Sequence, residues 1–350
     1  MAENTSPQGP GQALPARGAQ PAAPPQVQLF EFALGFWRSR ALVVAAELEI
    51  VDQLTGGPLH VDEIAARVNA HAPSLFRLLR ALETAGVFKQ VSPRVFANTP
   101  VSELLRKDVP GSHSAILRMS FTPGEGEFDA WMGLLGGVQT GKTAFEQVRG
   151  CTFWEFLRRN PKQGALFDES MRAVGEGVTP VVAGAYDWSR FPVIADIGGG
   201  VGTQLLEILK AHPSCRGILF DRADVVARAI PHDRIERVGG SFFERVPAAD
   251  AYILRRVIHD WPDAESIAIL KAIRAAANPG ARVIVIERVV DDAPENAAGK
   301  WMDLLMMVVA GGKERTADDF RELFEKAGFE LEQIVSMPAP MKLIVARTRG

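Results

Sequence analysis

Residues 196–202 read Asp196-Ile197-Gly198-Gly199-Gly200-Val201-Gly202 and directly follow the apolar run Phe191-Pro192-Val193-Ile194-Ala195. An apolar strand that ends in several glycines and restarts as a helix, here predicted over 203–211, is typical of a nucleotide-binding turn. Glycine has no Cβ, so the backbone can pass close to a ligand, and the next helix directs its unpaired N–H groups to the same point. The turn therefore marks one end of a predicted ligand site.

The acids around this turn favour one ligand over its alternatives. A second predicted strand, 216–221, ends in Asp221, which is placed to accept both hydroxyls of a ribose. Asp196 suits a ligand with an ammonium group better than one with a pyrophosphate, and the spacing differs from the Gly-x-Gly-x-x-Gly of dinucleotide enzymes. S-adenosylmethionine, which has an ammonium and a sulfonium but no phosphate, is therefore favoured. A nicotinamide or flavin dinucleotide, or a purely structural turn, remains an alternative.

Strands and helices alternate from about Val193 to the end of the chain, which predicts an α/β fold with a mostly parallel sheet covered on both faces. The predicted strands are 193–198, 216–221, 235–239, 251–258, 282–287, 329–336 and 342–347, and the predicted helices among them are 203–211, 264–276 and 317–327. We expect a Rossmann-like domain over 186–350, preceded by a helical domain over 28–185. Residues 1–27 are rich in proline and poor in large apolar residues, which predicts a disordered tail.

Within the helical domain, a long helix from Val27 to about Glu49 precedes a winged helix-turn-helix pattern. Helices over 61–68 and 72–84 are followed by a two-stranded wing over 86–88 and 94–97. Such an element either binds DNA or serves as a docking scaffold. The second helix offers only Arg77 and Arg80 among leucines, and the net charge of −3 gives no electrostatic argument for nucleic acid. Docking is therefore the favoured function.

Other bulk properties exclude several classes of protein. Cys151 and Cys215 lie far apart, which indicates neither a disulfide framework nor a metal site and favours a reducing, cytoplasmic compartment. No apolar run approaches the length that crosses a membrane. Residues 136–143 match the P-loop formula letter for letter, but residues 128–132 before them are patterned as a helix where a P-loop needs a strand. We therefore reject a P-loop.

Three ionisable residues are candidates for catalysis. His259 lies just past the strand predicted over 251–258, and Glu287 ends the next strand, so both are expected at the sheet edge where ligands bind. Glu314 precedes a helix, where an acid that stabilises the helix dipole is almost as good an explanation. The neighbouring Met302 and Met306 are either core residues or a pliable pocket wall.

Together these segments resemble the plant-type small-molecule O-methyltransferases, and most closely the bacterial relatives that methylate phenolic natural products. The resemblance is collinear from about residue 28 to the C-terminus. It rests on 196–202, Leu219-Phe220-Asp221, Gly240-Ser241-Phe242-Phe243, His259-Asp260-Trp261 and Gly312-Lys313-Glu314-Arg315-Thr316.

The resemblance implies a winged-helix domain used for homodimerisation and a Rossmann-like methyltransferase domain. It implies that S-adenosylmethionine is bound by Gly198, Asp221, Ser241, Phe242 and Arg255, to which the turn itself adds Asp196 and Gly200. His259 matches the general base of the family, and Glu287 and Glu314 match the acids beside it. Relatives often have aspartate at the position of Ser241, and plant members have a lysine at that of Arg255. We expect a substrate pocket around Trp154, Met171, Asp260, Met302 and Met306.

The expected activity is metal-independent methylation of a phenolic hydroxyl. At neutral pH a phenol, with a pKa near 10, is mostly protonated, whereas a histidine, with a pKa near 6.5, is mostly a free base. His259 can therefore take the phenolic proton as oxygen attacks the methyl carbon. Glu287 or Glu314, bonded to the other ring nitrogen, would fix the tautomer. The alternatives are a relative that methylates nitrogen or does not transfer methyl at all, and, from a different class, a winged-helix DNA-binding regulator.

Overall fold

The computed structural model describes residues 23–124, 126–291, 293 and 296–349. Most of the tail predicted over 1–27 lies outside the described residues. Helix α1 (Pro25–Glu47) begins within the last three residues of that predicted tail, because Pro25 is at its first position, where the missing proline N–H costs nothing. The tail prediction is wrong for these three residues.

The region after α1 is a winged helix, as predicted. Its elements are α2 (Ile50–Gln53), β1 (Leu59–His60), α3 (Val61–Arg67), α4 (Ala72–Thr84), β2 (Phe88–Ser92), β3 (Val95–Asn98) and α5 (Pro100–Glu103). The small sheet has the order β1-β3-β2, so the wing has a third strand that the sequence did not indicate. The leucines of α4 are buried at Leu75, Leu79 and Leu82 and form the core of this region with Phe88 and Phe96.

Helices connect the winged helix to the large sheet. They are α6 (Ser114–Phe121), α7 (Glu127–Met132), α8 (Leu134–Thr140), α9 (Ala144–Arg149), α10 (Phe153–Arg159), α11 (Pro161–Gly175) and α12 (Thr179–Gly184). Gly136 and Gly137 of the P-loop-like run lie inside α8, directly after helix α7, so the rejection of a P-loop is confirmed. Among the described residues, no helix has both the length and the apolar character needed to cross a membrane.

The rest of the chain forms a seven-stranded mixed sheet with helices. Its elements are β4 (Val193–Ile197), α13 (Thr203–Ala211), β5 (Arg216–Asp221), α14 (Ala223–Val226), β6 (Ile235–Gly239), β7 (Ala251–Arg255), α15 (Asp263–Ala276), β8 (Arg282–Glu287), α16 (Ala297–Val309), α17 (Ala317–Lys326), β9 (Phe329–Ser336) and β10 (Lys342–Thr348). The strand order is β6-β5-β4-β7-β8-β10-β9. Strands β4 to β8 pair in parallel, whereas β10 is antiparallel to β8 and β9.

Both faces of the sheet are buried, as the apolar runs predict. Along β7, Tyr252 and Leu254 pack into one core under α15 and α17, while Ile253 packs into the other core with Leu205 and Ile208 of α13. Each buried side chain of this size contributes about 1.5–3 kcal/mol to folding. The strand order reverses between β4 and β7, and ligands of open α/β sheets bind at such a switch point.

Strand β7 is shorter than the sequence predicts. It ends at Arg255, not Ile258. The next residue, Arg256, has a φ of 54°, in the left-handed region that residues other than glycine rarely adopt. Ile258–Asp260 then form one 3₁₀ turn. Val257 and Ile258 are buried although they follow the strand, so the apolar run in the sequence extends beyond the end of β7.

Candidate active site

The glycine turn after β4 depends on glycine for its backbone conformation. Gly198, Gly200 and Gly202 have φ values of 70°, 60° and 90°, which only glycine adopts without strain. A Cβ on Gly198 would lie 2.8 Å from Cγ2 of Val257, so this position is also restricted by contact. The chain can therefore pass closely around one end of the cavity and enter α13 directly.

The carboxylate of Asp221 is fixed beside this turn. Its Oδ2 accepts the backbone N–H of Gly200 at 2.8 Å, and its Oδ1 accepts that of Arg222 at 2.7 Å. Burial raises the pKa of Asp221, although both backbone bonds oppose that change. Each oxygen keeps a lone pair that can accept a hydroxyl of a bound ribose.

Asp196 and Arg255 form a second polar group at the ends of β4 and β7. Asp196 is only 1% exposed, and its Oδ2 has no hydrogen-bond partner among the described residues. Burial raises the pKa of Asp196 to about 7 and lowers that of Arg255 to about 10, with their mutual attraction opposing both changes. Arg255 donates from Nη1 to Oε1 of Gln204 at 3.3 Å, but its Nε is also without a described partner. Because buried polar atoms are normally hydrogen-bonded, these two groups are candidates to bind polar groups of a ligand.

A cavity of about 590 Å³ joins these groups to the catalytic candidates. It is lined by the residues predicted to bind the cofactor, which are Asp196, Gly198, Gly200, Asp221, Ser241, Phe242 and Arg255. It is also lined by the residues predicted for the substrate pocket, which are Trp154, Met171, Asp260, Met302 and Met306. The rings of Trp154 and Trp261 stack in this wall with centroids 6.0 Å apart, which suits a flat ligand.

His259 lines the same cavity, and two acids contact it: one at the imidazole ring and one at the backbone. Its Nδ1 lies 2.9 Å from Oε1 of Glu314. Glu287 does not bond the ring; its Oε1 accepts the backbone N–H groups of Val257 and His259 at 3.1 Å each. Among the described residues, Oδ1 of Asp260 is the acid oxygen within 4 Å of Nε2 of His259, and at 3.6 Å it is too far for a hydrogen bond. Of the two acids considered for the ring nitrogen, the structure therefore places Glu314 there.

These acids also set the protonation of the ring. Burial lowers the pKa of the His259 imidazole, but the carboxylates of Asp260, Glu314 and Glu287 outweigh it and raise the pKa above its usual value. Burial raises the pKa of Glu287 to about 7 and that of Asp260 to about 6, in each case against the opposite charge of His259. The imidazole is thus more basic than a free histidine.

The segment before α17 clamps the turn that carries His259. Arg315 is buried, and its guanidinium donates to the carbonyl oxygens of Ile258 and Trp261 at 2.9 Å each. A Cβ on Gly312 would lie 2.0 Å from the carbonyl oxygen of His259, so no other residue fits there. The sequence analysis missed Arg315, although it lies inside the quoted run 312–316, because a basic residue beside a helix start gives no sign of burial.

Helix α16 is tied to the same segment through a residue that the sequence analysis also missed. Oδ1 of Asp303 accepts the backbone N–H of Glu314 at 2.9 Å. Its neighbours Met302 and Met306 line the cavity. One helix therefore shapes the pocket and supports the acid that holds the imidazole.

Two family models match this chain. Residues 131–330 match the O-methyltransferase domain, and residues 30–108 match the O-methyltransferase dimerisation domain. The chain therefore belongs to this family of S-adenosylmethionine-dependent O-methyltransferases, and its winged-helix region is a dimerisation domain. The methyltransferase match begins well before residue 186, among helices that line the cavity, and the domain boundary at 185/186 stays a prediction.

Relatives that carry names match over nearly their full lengths. The phenazine O-methyltransferase PhzM of Lysobacter antibioticus is 38% identical over 93% of this chain and 97% of its own. The mitomycin biosynthesis 6-O-methyltransferase of Streptomyces lavendulae is 35% identical over 89% of this chain and 92% of its own. The phenazine-1-carboxylate N-methyltransferase of Pseudomonas aeruginosa is 31% identical over 91% of this chain and 96% of its own.

Solved structures agree with this relationship. The crystal structure of LaPhzM superposes with a TM-score of 0.89 at 38% identity, over 93% of this chain and all of that one. The O-methyltransferase NcsB1 of neocarzinostatin biosynthesis, solved with S-adenosylmethionine and 2-hydroxy-5-methyl naphthoic acid, gives a TM-score of 0.78 at 33% identity. That match covers 89% of this chain and 95% of NcsB1.

Proposed function

We propose that this enzyme methylates a phenolic hydroxyl of a small aromatic natural product, with His259 as the general base. The observation that carries the proposal is that His259, held by the buried Glu314, lines the same cavity as the glycine turn. One relative named above is a phenazine O-methyltransferase, and NcsB1 was solved with a naphthoic acid; both compounds are aromatic, which supports an aromatic acceptor.

The polar groups around the glycine turn fit S-adenosylmethionine. The buried Oδ2 of Asp196 lacks a partner that an ammonium group would supply, and Nε of Arg255 lacks one that a carboxylate would supply. Asp221 would accept the ribose hydroxyls, while Ser241 and Phe242 would contact the adenosine. When bound, this cofactor supplies an electrophilic methyl group on a sulfonium.

The remaining residues move one proton. Glu314 accepts a hydrogen bond from Nδ1–H of His259, so the lone pair of the neutral ring is on Nε2, where it can take the proton of a phenol. As the ring becomes charged, Glu314 stabilises it. Glu287 holds the backbone on both sides of Ile258, which fixes the position of the ring. Base catalysis of this kind contributes roughly 10²–10⁴ in rate.

Methylation of nitrogen is the second candidate, because one relative is an N-methyltransferase. An amine already has a free lone pair and does not need a base to expose it. The buried pair of His259 and Glu314 therefore favours an oxygen acceptor. The test is to incubate the enzyme with S-adenosylmethionine and either 1-hydroxyphenazine, 2-naphthol or 2-naphthylamine, and to measure S-adenosylhomocysteine and the methylated product by mass spectrometry. Methyl ethers without methylamines support the proposal, and the reverse pattern contradicts it.

We further propose a cytoplasmic homodimer. Helix α1 exposes large apolar side chains, with Leu29 at 74%, Phe32 at 78% and Trp37 at 63%, a pattern that marks an interface. Both cysteines are free thiols, Cys215 being buried, which fits a reducing compartment.

A further inference from the structure

A buried acid lines the cavity and has no part in the chemistry proposed above. Glu127, the first residue of α7, is 6% exposed. Its Oε2 accepts a hydrogen bond from the hydroxyl of Ser120 on α6 at 2.7 Å. Its Oε1 has no hydrogen-bond partner among the described residues and is not among the fully enclosed atoms. This oxygen is therefore available to a molecule in the cavity.

The surroundings of Glu127 belong to the acceptor rather than to the cofactor. Helices α6 and α7 supply Ile116, Ser120 and Glu127 to the cavity wall, whereas the residues assigned to the cofactor follow the strands of the large sheet. Burial raises the pKa of Glu127 and outweighs the hydrogen bond from Ser120 and the charge of Arg256, which both lower it. Arg256 also lines the cavity. A buried carboxylate that has only one hydroxyl donor is incompletely satisfied.

We infer that Glu127, oriented by Ser120, binds a second polar substituent of the acceptor, a hydroxyl or amino group that donates a hydrogen bond to Oε1. This substituent is separate from the hydroxyl that is methylated, and the inference rests on the proposed function. The preferred acceptors are then aromatic compounds with at least two donor groups. An acceptor that has no donor group at this point leaves the Glu127 carboxylate desolvated and without a hydrogen bond, which weakens binding.

The inference is tested by binding to the enzyme saturated with S-adenosylhomocysteine. The ligands are 2-naphthol and its 2,3-, 2,6- and 2,7-dihydroxy analogues, and the signal is quenching of the tryptophans in the cavity wall. We expect at least one diol to bind the unmodified enzyme roughly ten times more tightly than 2-naphthol, the ratio typical of one hydrogen bond to a charged group.

Glu127→Gln keeps the shape of the side chain but changes the atom that faces the cavity. Because the Ser120 hydroxyl donates to one oxygen, the amide oxygen takes that place and the NH₂ group faces the ligand. The NH₂ group can still donate to the oxygen of a hydroxyl, but the charged acceptor is lost, so the diol advantage should fall to about threefold or less. The affinity for 2-naphthol should not fall, because no desolvated acid is left without a partner, and the affinity for S-adenosylhomocysteine should stay unchanged. Glu146→Gln, on an exposed position of α9, is the matched control and should keep the advantage. Ser120→Ala should reduce it, and supplies the measurement if Glu127→Gln does not fold.

Each other outcome counts against the inference. A diol advantage that stays undiminished in Glu127→Gln, or that is absent from the unmodified enzyme, overturns it. Equal loss of affinity for 2-naphthol and the diols would show that Glu127 only maintains the structure. If no naphthol binds, both the inference and the proposed function fail; if naphthols bind and are methylated without a diol preference, only the inference fails.

Discussion

At the scale of single residues, the proposed function assigns removal of the proton to His259 and binding of the ribose to Asp221, and these two residues follow different strands of the sheet. We expect His259→Ala to lower kcat on a phenol by roughly 10²–10⁴ and to leave the affinity for S-adenosylhomocysteine unchanged. Asp221→Ala should weaken that affinity, because it removes an acceptor held by two backbone N–H groups. Calorimetric titration and initial rates, compared between the two variants, distinguish the roles. Full turnover by His259→Ala would remove the base from the mechanism.

The pH dependence follows from the acids around His259. A general base works only when it is neutral, and the pKa of His259 is raised, so activity is present above that pKa and is lost as the pH falls through it. We expect the acidic limb of the kcat profile to have its midpoint above 6.5, the ordinary value of histidine. Glu314→Gln removes one of the charges that raise this pKa and should move the midpoint down. Glu325→Gln, an exposed acid of α17, should not, and an identical shift in both variants would contradict the assignment.

At the scale of elements, the sequence predicts the sheet more completely than the site. Strand β8 was predicted with its observed bounds because burial on both faces leaves an uninterrupted apolar run ending in Glu287. The same reasoning overextended β7, since Val257 and Ile258 are buried outside the strand. That Glu314 rather than Glu287 meets the imidazole depends on side-chain directions across a turn, which spacing along the chain does not contain.

The contribution of the helices was the least predictable part of the site. The apolar pattern predicts that α7 is a helix, but not that Glu127 at its start turns into the cavity. Asp303 likewise looks like a solvated helix residue, whereas it accepts the backbone N–H of Glu314. Such contacts arise when separate elements pack together, so they need the fold before they can be assigned.

The clamp between the segment before α17 and the His259 turn gives a prediction at this scale. Arg315→Met removes the guanidinium donor of the Ile258 and Trp261 carbonyls. These carbonyls then keep the longer hydrogen bonds from the Ser266 hydroxyl and, for Ile258, from the Trp261 N–H. Loss of the two charged hydrogen bonds should cost about 1–3 kcal/mol of stability. Because those carbonyls flank His259, we expect kcat to fall by roughly tenfold or more, with KM for S-adenosylmethionine nearly unchanged. Arg315→Lys keeps the positive charge but cannot donate to both carbonyls in the geometry of a guanidinium. Its kcat and stability should lie between those of Arg315→Met and the unmodified enzyme.

Lys313→Met is the control for the clamp. Lys313 is half-exposed, and its ion pair in the described part of the chain is with Asp263, which Arg315 also contacts. The Lys313→Met variant should have a kcat and a melting temperature close to those of the unmodified enzyme. If Arg315→Met lowers the melting temperature but retains kcat at a temperature where it is folded, Arg315 is structural and does not position the base.

At the scale of the whole molecule, the two ends of α1 have opposite environments. Val43, Ala45 and Ala46 near its end are fully or almost fully buried within the chain. The first part presents Phe32 and Trp37 to solvent, although monomeric proteins rarely keep a group of large apolar residues exposed. Since this region matches a dimerisation domain, a second copy of the chain is the expected cover.

We therefore expect sedimentation to give a molecular mass of twice the 38.0 kDa of one chain. Phe32→Asp combined with Trp37→Asp places two charges on the proposed interface and should shift the protein to the monomer, because desolvating an unpaired charge is far more costly than leaving it in water. Ile230→Asp, an exposed apolar position in the methyltransferase region, is the control and should remain dimeric. Analytical ultracentrifugation across a range of concentrations measures both. A monomeric unmodified enzyme, or a double variant that stays dimeric, would show that this part of α1 is covered by something other than a second chain.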